Sequence, residues 1–301
     1  MDQTSIAELR TFYTSFGRLP LPDGTRVTGT TLGTVPALDV RTPGDDDDAG
    51  VLLYLHGGGY VIGDARTGVP LAAALAARAG LRAVSVDYRL APEHPFPAAV
   101  DDGLAAYRAL LAGTDPARVV VAGDSAGGGL ALATVLAARD AGLPLPAAVA
   151  TFSGWFDLTL SGASLTGKES VDPIFDAADI REYAATYLPD ADAAREPLAS
   201  PVLADLRGLP PLLLQVGSAE VLLDDSTRLA ARAAAADVEV TLEVYPHSAH
   251  VFQHHHATDP TADHAMDVAA TFLARRAGRA AEEAEDVRPD ASQRGVSGVA
   301  G

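Results

Sequence analysis

One serine stands between closely spaced glycines in the sequence Gly-Asp-Ser-Ala-Gly at residues 123–127. The apolar run before it, Val119–Ala122, predicts a buried strand, and the Ala-rich stretch after it predicts a helix. A sharp turn from strand to helix holds such a serine at its tip, near the positive helix end, and glycines there avoid collisions with the neighbouring strand and helix. We therefore interpret Ser125 as a candidate nucleophile. The alternative is a glycine-rich turn that only opens a helix.

Three consecutive glycines follow a histidine in His-Gly-Gly-Gly-Tyr at residues 56–60, directly after the apolar run Val51–Leu55. Glycines let backbone N–H groups approach a substrate oxygen, and in acyl transfer such donors stabilise the negative oxygen of the tetrahedral intermediate. A phosphate-binding loop is the alternative, but no Gly-x-Gly-x-x-Gly or Lys-Ser/Thr pattern follows. The residues expected to form this oxyanion hole are the donors Gly58, Gly59 and Ala126 and the loop supports His56 and Gly57.

A serine nucleophile also needs a base and an acid, which on sheets with such a serine turn follow in the chain order serine, acid, histidine. Two histidines, His247 and His250, come after the apolar run Val238–Tyr245. The candidate acids come after the run Leu212–Val216 and are Glu220, Asp224 and Asp225. Open parallel sheets place their sites at such strand ends. Spacing favours Glu220, because the two aspartates resemble the acidic first turn of a helix. Spacing leaves both histidines open.

These loops can meet only if a sheet brings them to one edge. Short apolar runs alternate with Ala-rich stretches of helical spacing, which is typical of a mostly parallel sheet with helices on both faces. The predicted buried strands are Val51–Leu55, Ala83–Asp87, Val119–Ala122, Ala147–Phe152, Leu212–Val216 and Val238–Tyr245. Two weaker strands near Thr25–Thr30 and Pro36–Arg41 are expected to form an antiparallel edge. The predicted helices include Leu71–Ala79, Ala98–Leu111, Ala126–Ala141, Ala178–Leu188 and Ser226–Ala236.

The alternation of strands and helices defines one domain, predicted over residues 1–276. Residues 160–201 interrupt it with Ser, Gly, Asp and Pro among short helical pieces, which predicts a small helical cap, and residues 1–22 are expected to join that cap. Residues 277–301 contain almost no large apolar residue and are expected to form a disordered acidic tail. The four carboxylates of Asp45–Asp48 predict a solvated loop.

Composition limits the partners of the protein. Its 301 residues carry a formal net charge of -18, which argues against nucleic acid and against anionic membrane surfaces. The absence of cysteine excludes disulfides, thiolate catalysis and Cys-based zinc sites. No run approaches the roughly 18 apolar residues of a membrane span, and the N-terminus shows no signal-peptide pattern. We expect a cytoplasmic enzyme without cofactor; a homodimer stays open.

Three consecutive histidines at residues 254–256 suggest a metal site. Consecutive residues on a helix point in different directions, so a solvated or packing role is the better interpretation. No metal is therefore expected.

With these residues identified, the chain resembles the hormone-sensitive-lipase-like family of α/β-hydrolases, the bacterial family IV esterases, from roughly Val51 to Arg276. Besides the two glycine motifs, the resemblance rests on Val-Asp-Tyr-Arg-Leu-Ala-Pro-Glu at residues 86–93 and Tyr-Pro-x-x-x-His-x-Phe at residues 245–252. The run at residues 215–225 is similar to the branch of small esterases and monoterpene lactone hydrolases. The resemblance implies the α/β-hydrolase fold, with an eight-stranded sheet and a small helical cap.

The resemblance also selects among the open candidates. The family histidine precedes x-Phe, which implies His250 and not His247. The family acid is usually Asp in Asp-Pro-Leu; here Glu220 and Val221 stand at the first two positions, which keeps Asp224 in reserve. The short N-terminal segment implies a reduced cap and a more open site.

Together these features predict a serine carboxylic-ester hydrolase that acts on short-chain acyl esters or lactones through a covalent acyl-enzyme. The expected catalytic residues are Ser125, Glu220 and His250. The residues expected to line a substrate pocket are Tyr60, Val61, Trp155 and Phe156, whereas Phe252 is expected in the core.

Two other functions are compatible with the scaffold. A ligand-binding receptor like the plant gibberellin receptors is disfavoured, because those receptors differ from esterases at the histidine, which is present here as His250. A non-hydrolytic natural-product enzyme, such as a cyclase, dehydratase or acyltransferase, is the stronger alternative, although such relatives often alter the serine.

Overall fold

The computed structural model describes Met1, residues 3–44 and residues 50–278. The predicted acidic loop at Asp45–Asp48 lies outside the described residues, and so does the predicted disordered tail from residue 279 onwards.

Within the described residues, eight strands form one sheet in the order β1-β2-β4-β3-β5-β6-β7-β8. The first strands pair antiparallel, β1 with β2 and β2 with β4, and all other pairs are parallel. The predicted mostly parallel eight-stranded sheet is therefore confirmed. Its strands are β1 Arg26–Leu32, β2 Val35–Arg41, β3 Val51–Leu55, β4 Arg82–Val86, β5 Val119–Asp124, β6 Ala148–Phe152, β7 Leu212–Gly217 and β8 Val240–Tyr245.

Helices cover both faces of the sheet, and each face has its own apolar core. Alternate residues of β3 point to opposite faces, because side chains of a strand alternate with a period of two. Leu53 and Leu55 pack in the core that contains α3 and α4, whereas Leu52 and Tyr54 pack in the core that contains α2 and α8. The described helices are α1 Gln3–Tyr13, α2 Ala65–Ala79, α3 Ala98–Leu111, α4 Ala126–Asp140, α5 Ser164–Gly167, α6 Ala177–Tyr187, α7 Leu223–Ala235 and α8 Pro260–Arg276.

Helix α2 begins six residues before the predicted start at Leu71. Asp64 caps it: the side chain of Asp64 accepts a hydrogen bond from the N–H of Thr67 (2.9 Å), and the hydroxyl of Thr67 accepts one from the N–H of Asp64 (3.1 Å). This reciprocal pair satisfies two helix-end donors and supports a helix start at Ala65, so Pro70 lies inside the helix and not before it.

Two segments lie over the carboxyl edge of the sheet. We call residues 1–22 the N-terminal segment, which contains α1 and a short 3-10 helix, Phe16–Arg18. We call residues 160–201 the insertion, which contains α5, α6 and a short 3-10 helix, Asp192–Arg195. No helix in the described part of the chain is long and apolar enough to cross a membrane.

Candidate active site

Ser125 occupies the tight turn between β5 and α4 and has an unusual backbone conformation, with φ of 53° and ψ of -124°. Its N–H donates to the carbonyl of Phe152 on the neighbouring strand (2.8 Å), which holds the turn in place. A side chain at Gly123 would overlap the backbone of Gly127, and one at Gly127 would overlap the carbonyl of Leu55. The crowding predicted from the two glycines is therefore real, and the serine lies at the tip of the turn.

His250 connects Ser125 to Glu220 through two hydrogen bonds. Its Nδ1 lies 2.8 Å from Oε2 of Glu220, and its Nε2 lies 2.9 Å from Oγ of Ser125. A carboxylate only accepts hydrogen bonds, so Nδ1 carries the proton and Nε2 is left to accept from the serine hydroxyl. This is the arrangement in which an imidazole can remove a proton from a serine.

Glu220 is fully buried, and three donors compensate its carboxylate. Besides His250, its Oε1 accepts hydrogen bonds from Oγ of Ser153 (2.7 Å) and from the N–H of Gly217 (2.5 Å). The Ser153 hydroxyl also accepts a hydrogen bond from the N–H of Val251 (3.0 Å), next to the histidine. Our sequence reasoning missed Ser153. Its position immediately after β6, at the same sheet edge, is the signal that could have found it.

The other acid and histidine candidates lie away from the imidazole of His250. Asp224 accepts a hydrogen bond from the N–H of Ser164 (2.9 Å) in the insertion. Asp225 accepts hydrogen bonds from two backbone N–H groups of the loop after β6 (2.7 and 2.8 Å), and burial raises its pKa to about 8. His247 is exposed, and its N–H donates to the hydroxyl of Ser218. The structure thus brings Glu220, and neither aspartate, to the imidazole.

The glycine loop after β3, residues 56–60, leaves backbone donors free beside the candidate nucleophile, and we call it the oxyanion loop. Gly58 and Gly59 have φ values of 116° and 60°, and side chains there would overlap the carbonyl of Ile62 and the ring of Tyr183. Glycine is therefore required at both positions. Across the described residues, the N–H groups of Gly58, Gly59 and Ala126 have no hydrogen-bond acceptor. Unsatisfied donors of this kind can receive an oxyanion.

His56 lies beneath this loop and not in the cavity. Its Nδ1 is 2.7 Å from the carbonyl of Gly57, which can only accept, so Nδ1 carries the proton. The ring stacks on Tyr88 with 4.2 Å between centroids, and the Tyr88 hydroxyl donates to the carbonyl of His56 (2.7 Å). Burial lowers the pKa of His56, which keeps the imidazole neutral. These contacts fit the predicted role of a loop support.

Asp124, the residue before the serine, is a second group that our sequence reasoning missed. Its carboxylate is buried and accepts a hydrogen bond from the hydroxyl of Tyr54 (2.7 Å). A side chain at Gly57 would overlap the other carboxylate oxygen, so this glycine allows the oxyanion loop to lie directly against Asp124. Burial raises the pKa of Asp124 to about 6. Its signal was a charged residue inside an otherwise apolar turn.

A cavity of about 180 Å³ opens above Ser125 and His250. Gly58 and Gly59 lie in its wall, so the free donors and the serine hydroxyl face one space. Half of the remaining wall residues come from the N-terminal segment and the insertion, and all of these are apolar or aromatic. These residues are Tyr13, Phe16, Ile174, Phe175, Ile180 and Tyr183.

The predicted substrate pocket needs correction at three of its four positions. Trp155 lines the cavity, but Tyr60, Val61 and Phe156 do not. All three are buried in the core below the loops. The chain turns back at Tyr60, whose φ is 62°, and its ring stacks on Tyr187 with 4.0 Å between centroids. The sequence could not show this, because it does not reveal to which side a loop residue turns.

The aromatic and histidine residues after His250 have separate roles. Phe252 is buried and packs against Tyr245, with ring centroids 4.9 Å apart, as predicted for a core residue. His254 lies in the cavity wall beside Phe16, and burial lowers its pKa to about 3. Over residues 1, 3–44 and 50–278, no group of three or more His, Asp or Glu side chains could hold a metal ion.

Comparison with known proteins gives consistent relatives. Residues 52–254 match the family described as the alpha/beta hydrolase fold. The chain is 46% identical to an acetyl-hydrolase of Streptomyces hygroscopicus over 265 residues, which cover 88% of this chain and 87% of that protein. It is 37% identical to an esterase of Acinetobacter venetianus over 223 residues, 74% of each protein.

A solved structure of an esterase from the bacterial hormone-sensitive lipase family is also similar. It shares 45% sequence identity with this chain and matches it with a TM-score of 0.88. The match covers 92% of this chain and 94% of that chain.

Proposed function

We propose that this protein is a serine hydrolase of short-chain acyl esters or lactones. The chain belongs to the hormone-sensitive-lipase-like esterases of the α/β-hydrolase family, and it is an enzyme with esterase activity. The observation that carries the proposal is the line of hydrogen bonds from Ser125 through His250 to the buried Glu220. An ester or lactone carbonyl bound above Ser125 would meet a nucleophile, a base and free backbone donors together.

The reaction proceeds in two acyl-transfer steps. His250 takes the proton of Ser125 as Oγ attacks the carbonyl carbon, and the imidazolium then protonates the leaving alcohol oxygen. His250 next removes a proton from water, which attacks the acyl carbon; the bond to Oγ of Ser125 then breaks, the imidazolium returns its proton to Oγ, and the acid is released. Glu220 holds the imidazole in the required tautomer and stabilises its charged form. The N–H donors for the oxyanion are those of Gly58, Gly59 and Ala126.

The size and polarity of the cavity support a short acyl group. A volume of about 180 Å³ lies below the roughly 300–1,000 Å³ that is typical of small-molecule pockets. Its wall is mostly apolar and contains no Lys or Arg side chain, which suits a neutral acyl chain. The name of the Streptomyces relative, acetyl-hydrolase, points to the smallest acyl group of this class.

The variant Ser125→Ala tests the proposal. Hydrolysis of p-nitrophenyl acetate and butyrate is expected to fall by about 10⁴-fold or more, because no nucleophile remains. Circular dichroism and the melting temperature establish that the variant is folded. Ser15→Ala is the matched control, because Ser15 is exposed and caps its 3-10 helix without a side-chain hydrogen bond. Retained turnover in folded Ser125→Ala protein would overturn the proposal.

Covalent labelling distinguishes an enzyme from a ligand-binding receptor on the same scaffold. A fluorophosphonate probe is expected to form an adduct on Ser125 that peptide mass spectrometry localises, because His250 activates this hydroxyl. Product analysis on a lactone panel then separates hydrolysis, which yields the hydroxy acid, from cyclisation or acyl transfer. Absence of any adduct on the wild-type protein contradicts the acyl-enzyme.

A further inference from the structure

Val221 follows Glu220 at the position where the family pattern Asp-Pro-Leu has proline. Proline has no backbone N–H, whereas Val221 has one, and that N–H donates to Oδ2 of Asp172 in the insertion (2.8 Å). The carbonyl of Val221 accepts a hydrogen bond from the hydroxyl of Ser164, also in the insertion (2.7 Å). Val221 is buried, so water cannot replace these partners. The insertion thus holds both backbone polar groups of the residue after the acid.

The second carboxylate oxygen of Asp172 organises the turn before α6. Its Oδ1 accepts hydrogen bonds from the N–H groups of Ile174 (2.8 Å) and Phe175 (3.1 Å). A carboxylate that accepts from the backbone two and three residues ahead fixes a turn locally. One side chain therefore joins the turn that carries Phe175 to the loop that carries Glu220.

Phe175 is the residue of this turn that contacts the catalytic histidine. Its ring stands edge-on to the imidazole of His250, with centroids 5.2 Å apart at 79°, and edge-on to Tyr183, with centroids 6.3 Å apart at 88°. Phe175 and Tyr183 both line the cavity, and Tyr183 also lies against Gly59 of the oxyanion loop. A shift of Phe175 would enlarge the cavity beside the histidine.

We propose that Asp172 is a positioning residue that sets acyl-chain selectivity: by bonding to Val221 it holds Phe175 against His250 and keeps the cavity small. The proposal rests on the proposed esterase function. Loss of the bond between Asp172 and Val221 frees the turn that carries Phe175 from the loop that carries Glu220. The cavity beside His250 can then enlarge and accept longer acyl chains. A purely structural role for Asp172 would instead lower the rate on every ester by the same factor, since it would change only the fraction of active protein.

The test compares kcat/KM for p-nitrophenyl acetate and p-nitrophenyl octanoate in Asp172→Ala and Val221→Pro. The first variant removes the acceptor, and the second removes the N–H donor and restores the family pattern. In each, the octanoate-to-acetate ratio is expected to rise about five- to tenfold, a change typical of a modest change in an apolar pocket. The double variant is expected to match Asp172→Ala, because Asp172→Ala already removes the bond to Val221 along with the two bonds of its own turn. Titration with a fluorophosphonate normalises the rates to active protein.

Two matched variants sharpen the comparison. The side chain of Asp176 caps α6 by accepting hydrogen bonds from the N–H groups of Ala178 and Asp179, inside the insertion. Asp176→Ala removes this cap and is expected to leave the octanoate-to-acetate ratio unchanged. Phe175→Ala is expected to raise the ratio, and Asp172→Ala is expected to add little to it.

Equal losses on both esters in Asp172→Ala and Val221→Pro, with an unchanged ratio, would overturn the role of Asp172 and leave the esterase function intact. If Asp172→Ala does not fold, the ratio in Val221→Pro decides alone. Failure of the wild-type protein to hydrolyse either ester or to react with the fluorophosphonate would instead overturn the proposed function itself.

Discussion

At the scale of single residues, the site depends on the hydrogen bonds that stabilise and orient one buried carboxylate. Glu220 has no contact with solvent, and burial of a charge without hydrogen-bond partners is strongly unfavourable in free energy. The imidazole of His250, the hydroxyl of Ser153 and the N–H of Gly217 supply the missing hydrogen bonds. The same three bonds fix the direction of the carboxylate, so it holds the imidazole in one orientation.

Amide substitutions at Glu220 and Asp224 test which carboxylate orients the histidine. Glu220→Gln keeps the shape of the side chain but replaces a charge that stabilises the imidazolium. We expect kcat on p-nitrophenyl acetate to fall by about 10³- to 10⁴-fold, against less than about threefold for the matched Asp224→Asn. Asp224 contacts the insertion and not the imidazole. Equal losses in the two variants would show that Glu220 is not the acid.

At the scale of secondary-structure elements, helix α7 is joined to the loop after β6 by a buried acid. Asp225, in the first turn of α7, accepts hydrogen bonds from the N–H groups of Phe156 and Asp157. Burial and the nearby charge of Asp157 raise the pKa of Asp225 to about 8. Arg228, one turn later, forms an ion pair with Asp157 (2.6 Å). The loop that carries Trp155 is therefore joined to α7, the helix that follows the loop with Glu220.

The raised pKa of Asp225 predicts a pH-dependent stability. Between its unfolded value near pH 4 and about pH 8 the folded state binds the extra proton, so the free energy of unfolding falls as the pH rises. Asp225→Asn keeps an acceptor for both N–H groups and has no proton to lose. Relative to wild type, the variant is expected to gain stability from pH 5 to pH 8, by at most about 1.4 kcal/mol per pH unit.

Urea unfolding of both proteins at pH 5, 6.5, 8 and 9 measures this difference. The free energy of unfolding of Asp225→Asn minus that of the wild type is expected to rise up to about pH 8. Above that pH it is expected to stay constant, because Asp225 of the wild type is then ionised in both states. A difference that does not vary over this range would contradict the raised pKa.

At the scale of the whole molecule, Arg10 joins the N-terminal helix to the sheet domain. Arg10 donates to the carbonyls of Val61 (2.9 Å) and Ala91 (3.0 Å), behind the oxyanion loop, and pairs with both carboxylate oxygens of Glu93 (2.8 Å each). The side-chain bond to Arg10 lowers the pKa of Glu93 to about 2. The resemblance implied a more open site, yet the N-terminal segment is long enough to place Tyr13 in the cavity wall.

Arg10→Ala tests whether this docking matters for the site. The variant leaves two carbonyls without their donor, so we expect a loss of about 1–3 kcal/mol in the free energy of unfolding. We also expect a higher KM for p-nitrophenyl butyrate, because the wall formed by Tyr13 loosens. Arg18→Ala, an exposed arginine in the same segment, is the matched control and is expected to leave both quantities near wild type. An unchanged KM in Arg10→Ala would show that the docking does not shape the cavity.

The amino-acid sequence by itself determined the α/β architecture and the order of the loops that meet at the sheet edge. Strand and helix periodicity are local properties, and so is the preference for glycine at the positive φ that Gly58 and Gly59 adopt. The family motif then separated His250 from His247. These conclusions required no knowledge of which distant surfaces touch.

Only the tertiary structure decided which residues form the wall of the cavity and which support the acid. Tyr13, Phe175 and Tyr183 lie far from Ser125 in the chain and meet it because the two segments fold over the carboxyl edge of the sheet. Ser153 and Asp172 likewise act through hydrogen bonds to loops distant in sequence. Residue type and local periodicity carry no record of such contacts, because they arise from packing between elements.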